Sequence, residues 1–73
     1  MYEQFKSILA TELSVDPELI TMEAELKGDL GINSLELADL VLLCEDKFDI
    51  EIDDAQLSKF ITVGDVVNYL QSL

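Results

Sequence analysis

The sequence has no histidine, no arginine and no tryptophan, and its only cysteine is Cys44. Because cysteine and histidine are the usual ligands of zinc, we expect no zinc site. Acid–base and nucleophilic catalysis lose their commonest side chains for the same reason. A lone cysteine also cannot form a disulfide within the chain. An enzyme with this composition would have to work with carboxylates and hydroxyls alone.

Long apolar runs are also missing. None approaches the roughly 20 residues of a membrane span, and Met1–Gln4 lack the basic and then apolar layout of a secretory signal. We therefore expect a soluble, cytoplasmic monomer. With 73 residues, 49% of them hydrophobic, the chain has room for one core, so we expect one domain over residues 1–73.

Positive charge is scarce: four lysines stand against 16 acidic residues, and the net charge is −12. Such a chain repels nucleic acid and anionic membranes and attracts basic protein surfaces. Eight acidic residues cluster in 36–54 beside one base, Lys47; they are Glu36, Asp39, Glu45, Asp46, Asp49, Glu51, Asp53 and Asp54. Acidity often serves solubility alone, but this clustering favours a basic protein partner.

Apolar residues recur at helical spacing in several segments, and no strand alternation competes with them. The segments are residues 2–13, 34–48 and 63–70, with a shorter helical stretch at 54–59. Asn33 stands where an N-cap precedes the second helix, and Glu36 is placed to complete a capping box. Thr62 and Asp65 repeat that pattern before the third. The sequence predicts an all-α bundle of three main helices plus a short helix.

The long connection after the first helix, residues 14–33, is unusual, because connections in compact domains are mostly short. Asp16–Glu18 predict a capped helical turn, and Gly28 and Gly31 are expected to supply tight turns. Apolar residues outside the helices are expected to pack on the core: Leu19, Ile20, Leu26 and Leu30 in this loop, and Ile50 and Ile52 in an extended connection. Long structured loops of this kind are often functional.

The second predicted helix is apolar on two faces. Its core stripe consists of Leu37, Leu40, Val41, Cys44 and Phe48. Leu35, Ala38 and Leu42 then fall on a different face. That face is flanked by Glu36, Asp39, Glu45 and Asp46. A domain this small cannot bury both faces, so we expect the second to dock on a basic partner with an apolar pocket; scattered surface leucines are the alternative.

Ser34 falls on the first turn of this helix, directly after the glycine-bearing loop. Free N–H groups and the helix dipole favour an anion at that position, so a phosphodiester on Ser34 would be stabilised. Serine is also common at helix starts for structural reasons alone. Position by itself leaves both interpretations open.

The segment DLGINSLELADLVLLCEDKFDIEI, followed by ITVGDVVNYL, resembles the acyl carrier proteins of fatty acid and polyketide synthesis from about Leu26 to Leu70. The resemblance implies that a phosphopantetheinyl transferase attaches 4'-phosphopantetheine from coenzyme A to Ser34. The thiol of this arm would carry acyl groups as thioesters between the enzymes that make and transfer them. It also implies a carrier that is not itself an enzyme.

The resemblance assigns further roles residue by residue. Leu35 matches the leucine after the modified serine, and the family's partner-recognition positions fall on Glu36, Asp39, Leu42, Glu45 and Asp46. Together with Ala38, these residues form the expected partner surface. A hypothesis built on the habit of bundles to bind ligands in their cores is that the helices part to hold an acyl chain. Its expected neighbours are Leu42, Cys44, Ile52 and Ile61.

One position departs from the family pattern: Asn33 stands where the family usually has aspartate. Asparagine caps a helix about as well, but a negative charge beside the site is lost. We favour a specialised carrier over an inactivated copy, because the rest of the partner surface is intact. Fatty acid, polyketide and other pathways stay open, as does a non-carrier acidic interaction module. A calcium-binding loop is disfavoured, because the window from Asp49 has Asp54 where such loops have glycine.

Overall fold

The computed structural model describes all residues, 1–73. Its α-helices are α1 (Tyr2–Glu12), α2 (Ser34–Phe48) and α3 (Val63–Gln71), and 3₁₀ helices occupy Pro17–Leu19 and Asp54–Lys59. The predicted all-α bundle of three main helices plus a short helix is confirmed. None of the helices combines the length and apolar character needed to cross a membrane.

Local capping sets where the helices begin. The Asn33 side chain accepts a hydrogen bond from the Glu36 N–H at 2.8 Å, and the Glu36 carboxylate accepts from the Asn33 N–H at 3.1 Å. This capping box starts α2 at Ser34. Thr62 and Asp65 form the second predicted box, at the start of α3. Both boxes satisfy N–H groups that the helices themselves leave without partners.

One cluster of 18 buried residues forms the hydrophobic core. The helices contribute Phe5, Ile8 and Leu9 from α1, Leu37, Leu40, Val41 and Cys44 from α2, and Val63, Val66, Val67 and Leu70 from α3. No polar or charged residue is buried with them. The bundle is therefore held by apolar burial, which contributes about 25 cal/mol for each Å² removed from water.

The loop between α1 and α2 packs on the bundle, as predicted. Its buried residues are Val15, Ile20, Ala24, Leu26 and Ile32. The Leu26 N–H donates to the Ile61 carbonyl at 2.9 Å. In return, the N–H groups of Val63 and Gly64 donate to loop carbonyls at 2.9 and 2.8 Å. Because these groups lie in the first turn of α3, the loop supplies acceptors that the helix lacks.

One loop prediction needs correction. Leu19 is 54% exposed, whereas the next residue, Ile20, is buried. Leu19 ends the 3₁₀ helix, whereas Ile20 follows it with extended backbone. The chain changes direction between the two residues, and only Ile20 enters the core. The two glycines supply tight turns, as predicted: Gly31 has a positive φ of 70°. Gly28 lies in a turn closed by hydrogen bonds to the Glu25 carbonyl, which ordinary φ values allow.

The edge of the core near the end of α2 is also less covered than predicted. Phe48 and Ile50 are half-buried, whereas Ile52 is buried. Phe48 borders an open groove between α1 and α2, and this groove leaves part of its ring in contact with water. The residue of α2 nearest the C-terminus therefore closes the core only partly.

Gly64→Ala is predicted to lower the free energy of unfolding by about 1–3 kcal/mol. A Cβ at Gly64 would lie 2.9 Å from the Met22 carbonyl oxygen, so the loop backbone would have to move away from α3. The matched control is Gly28→Ala, whose Cβ would meet only the flexible end of the Glu25 side chain. We expect a change within about 0.5 kcal/mol there. Urea denaturation measures both, and equal stabilities would contradict the prediction.

Candidate modification site and partner surface on helix α2

Ser34 is the first residue of α2 and is exposed. The capping box immediately around it fixes the backbone from which its side chain projects. Its hydroxyl accepts a hydrogen bond from the Lys27 ammonium, with 3.3 Å between Nζ and Oγ. The hydroxyl is therefore accessible to an enzyme and lies beside a positive charge, which suits a group that is to become a phosphodiester.

Lys27 is a site residue that the sequence reasoning missed. It lies in the loop, seven positions before Ser34, where the apolar residues follow no clean period. The available signal was a single lysine in this loop of a strongly acidic chain. That signal gave no indication of a contact, because the path of the loop depends on how Leu26 and Ile32 pack in the core.

The second apolar face of α2 is exposed, as predicted. Leu35 is 79% exposed and Leu42 is 62% exposed, and Ala38 between them is half-buried. Exposed leucines on one helix face, rimmed by acid, are the pattern expected of a docking surface. We call Leu35, Ala38, Leu42 and the four flanking acidic residues, Glu36, Asp39, Glu45 and Asp46, the partner surface.

The acidic residues of the partner surface differ in what they do within the fold. Asp39 and Asp46 are exposed. The Glu36 carboxylate is engaged in the capping box. Glu45 accepts a hydrogen bond from the Ile52 N–H at 2.7 Å and so ties the extended connection to α2. The sequence predicted a binding role for Glu45 but not this structural one.

Cys44 is 1% exposed and faces the core. Burial, and to a smaller extent the charge of Glu45, raises the pKa of the Cys44 thiol to about 11. The thiol is therefore protonated at neutral pH, and a protonated buried thiol is a poor nucleophile. Nowhere do three or more potential metal-ligating side chains come together.

The hypothesis of an acyl cavity finds limited support in the closed bundle. Of its four expected neighbours, only Ile61 lines a recess, with a volume of about 160 Å³. This recess lies between loop residues 25–28 and residues 57–61. Leu42 is on the outer face of α2, and Cys44 and Ile52 are covered. An acyl chain between the helices would need them to separate, and this stays a prediction.

Comparison with known proteins indicates the family of the chain. Residues 3–70 match the family model described as "Phosphopantetheine attachment site". An acyl carrier protein of Campylobacter curvus is 40% identical over 73 residues, which cover all of this chain and 95% of the relative. Acyl carrier proteins of Helicobacter pylori and Thermotoga maritima are 42% and 45% identical over 71 residues, covering 97% of this chain and 91% and 88% of theirs.

The fold and the match over residues 3–70 define a phosphopantetheine-bearing carrier. The chain belongs to the acyl carrier protein family. The resemblance seen in the sequence is thus confirmed, and so is phosphopantetheine as the group that the domain carries. The family consists of carriers that work with partner enzymes and do not themselves catalyse reactions.

Substitutions at Glu45 should show whether its hydrogen bond, and not only its charge, matters for stability. Glu45→Ala is predicted to lower the free energy of unfolding by about 1–3 kcal/mol, because the part-buried Ile52 N–H loses its acceptor. Glu45→Gln keeps an acceptor oxygen and should retain most of the stability while removing the charge. Asp46→Ala, at an exposed position, is the control and should change stability by less than about 0.5 kcal/mol. Thermal unfolding is the measurement, and an unaltered Glu45→Ala variant would disprove the structural role.

Proposed function

We propose that Ser34 is the residue that bears 4'-phosphopantetheine and that the whole chain, residues 1–73, acts as one monomeric carrier domain. The observation that carries this proposal is the exposed Ser34 hydroxyl at the start of α2, at the end of an uncovered apolar face. The residues present fit the arm: the hydroxyl can be esterified, and the Lys27 ammonium beside it can offset the charge of a phosphodiester. When bound, the arm supplies the thiol that holds an acyl group as a thioester.

The chain's own residues present the load and take no part in its chemistry. Leu35 and Leu42 offer apolar contacts, and Asp39 and Asp46 offer charge to basic enzymes. Charge steers such encounters more than it strengthens them, and this suits a carrier that must leave each enzyme in turn. The partners we propose are a phosphopantetheinyl transferase and the enzymes that synthesise and transfer acyl chains.

The pathway we propose is fatty acid or related biosynthesis in the cytoplasm. A specialised carrier for a polyketide or another secondary pathway is the alternative, and Asn33 is the observation that favours it. Asn33 keeps the cap, with 2.8 Å between its side-chain oxygen and the Glu36 nitrogen, but contributes no charge next to Ser34. Enzymes that read an aspartate at this place would find a neutral side chain instead.

Incubation with coenzyme A and a broad-specificity phosphopantetheinyl transferase should raise the intact mass by a single phosphopantetheine. Ser34→Ala should gain nothing. Ser58→Ala is the matched control, because Ser58 is also exposed but donates its hydroxyl to the Ala55 carbonyl. It should be loaded like the wild type. Loading of Ser34→Ala would overturn the assignment, and an unmodified wild type would favour a non-carrier acidic module.

A thiol reagent gives a second check on the same samples. The native unloaded protein should not react, because the Cys44 thiol is buried and its pKa is raised to about 11. The loaded protein should react through the thiol of the arm. Reaction of the native unloaded protein would show that Cys44 is accessible and that the thiol count cannot report on the arm.

Leu42→Ser is predicted to slow loading by the transferase by about tenfold, as expected for an apolar residue central to an interface. Its stability should change little, since Leu42 is 62% exposed. Leu19→Ser is the control: Leu19 is 54% exposed but lies outside the partner surface, so loading should be unaffected. Equal loading rates for Leu42→Ser and Leu19→Ser would contradict the docking face.

Asp39→Asn should slow loading at low salt more than at high salt, because salt screens exposed charges.

A further inference from the structure

Lys27 stands apart from the other three lysines of the chain because its ammonium hydrogen-bonds to Ser34. The distance from Nζ to the Ser34 Oγ is 3.3 Å, and Lys27 donates to no other group. The chain has 16 acidic residues and four basic ones, yet this ammonium contacts a neutral hydroxyl. Its positive charge is therefore available to pair with an anion.

The residue directly before Ser34 adds no negative charge beside it. Asn33 is neutral, and the Glu36 carboxylate is engaged by the Asn33 N–H at 3.1 Å. A phosphodiester built on the Ser34 oxygen would bring anionic oxygens next to the Lys27 ammonium. Hydrogen bonds between an ammonium and such oxygens are shorter and stronger than the present one to a hydroxyl.

Lys27 also borders the recess of about 160 Å³ between residues 25–28 and 57–61. The apolar lining of this recess comes from Leu57, Phe60 and Ile61. None of the exposed α2 residues of the partner surface lines it. A group held at Lys27 can therefore contact the apolar lining of this recess. In that position it does not cover the partner surface.

We propose that Lys27 is a positioning residue that pairs with the phosphodiester on Ser34 and turns the arm towards the recess lined by Leu57, Phe60 and Ile61. This inference rests on the proposed function, since it needs the arm on Ser34. Exposed ion pairs are weak, so this pair biases the position of the arm and does not fix it. Between encounters the arm lies against the loop, and the partner surface stays free for docking.

The test compares amide NMR spectra before and after loading for the wild type, Lys27→Gln and Lys47→Gln. Lys47→Gln is the matched control: it removes the same charge, but Lys47 lies 13 residues after Ser34 along α2, about 20 Å away at 1.5 Å per residue. Loading should shift the amides of residues 34–36 in all three proteins. The amides of 25–28 and 57–61 should shift in the wild type and in Lys47→Gln. In Lys27→Gln those shifts should fall by more than half.

Two further measurements test whether the effect of Lys27 depends on its charge. Lys27→Arg keeps the positive charge and should restore the shifts at 57–61. Raising the salt concentration should move the wild-type shifts towards those of Lys27→Gln, because salt screens an exposed pair. Mass spectra of the same samples report whether the arm is attached. Full loading with equal shifts at 57–61 in the wild type and Lys27→Gln would overturn the role of Lys27 alone. A wild type that gains no mass would overturn the proposed function and this inference with it.

Discussion

A core of 18 buried residues can cover only one face of α2. Leu37 and Leu40 occupy that face and are at most 5% exposed, while Leu35 and Leu42 stay outside in water. A larger protein would cover the second face with another layer, but a short chain has none to offer. Because the capping box starts α2 at Ser34, the same arrangement puts the serine at the end of the uncovered face. The position of the proposed tether and the exposure of the proposed docking face thus follow from one limit on packing.

The loop before α2 and the connection after it complete the site. The loop is fixed by Leu26, which is fully buried, and by its hydrogen bonds to the first turn of α3. It thereby brings Lys27 to Ser34. On the other side, Glu45 holds the connection through the Ile52 N–H. Some charges near the site therefore hold the structure, whereas others, such as Asp39, are exposed to water.

Local signals explain what could be predicted from the sequence. The helices were predictable because apolar spacing and capping boxes are read within a few residues, as at Asn33. The family pattern, rather than position, singled out Ser34. Contacts that depend on the path of irregular chain were not predictable: the approach of Lys27 to Ser34, the bond from Ile52 to Glu45 and the exposure of Leu19. Each of them is decided by tertiary packing, about which the local sequence carries little information.

The most direct test of Ser34 as the tether is the mass spectrum of the peptide that contains it, taken from protein purified from the cells that make it. The predicted result is a Ser34 peptide that bears phosphopantetheine, with an acyl group on a part of the molecules. The identity of that group would also name the pathway. A Ser34 peptide that is unmodified in every molecule, or an arm attached to a different serine, would contradict the central claim.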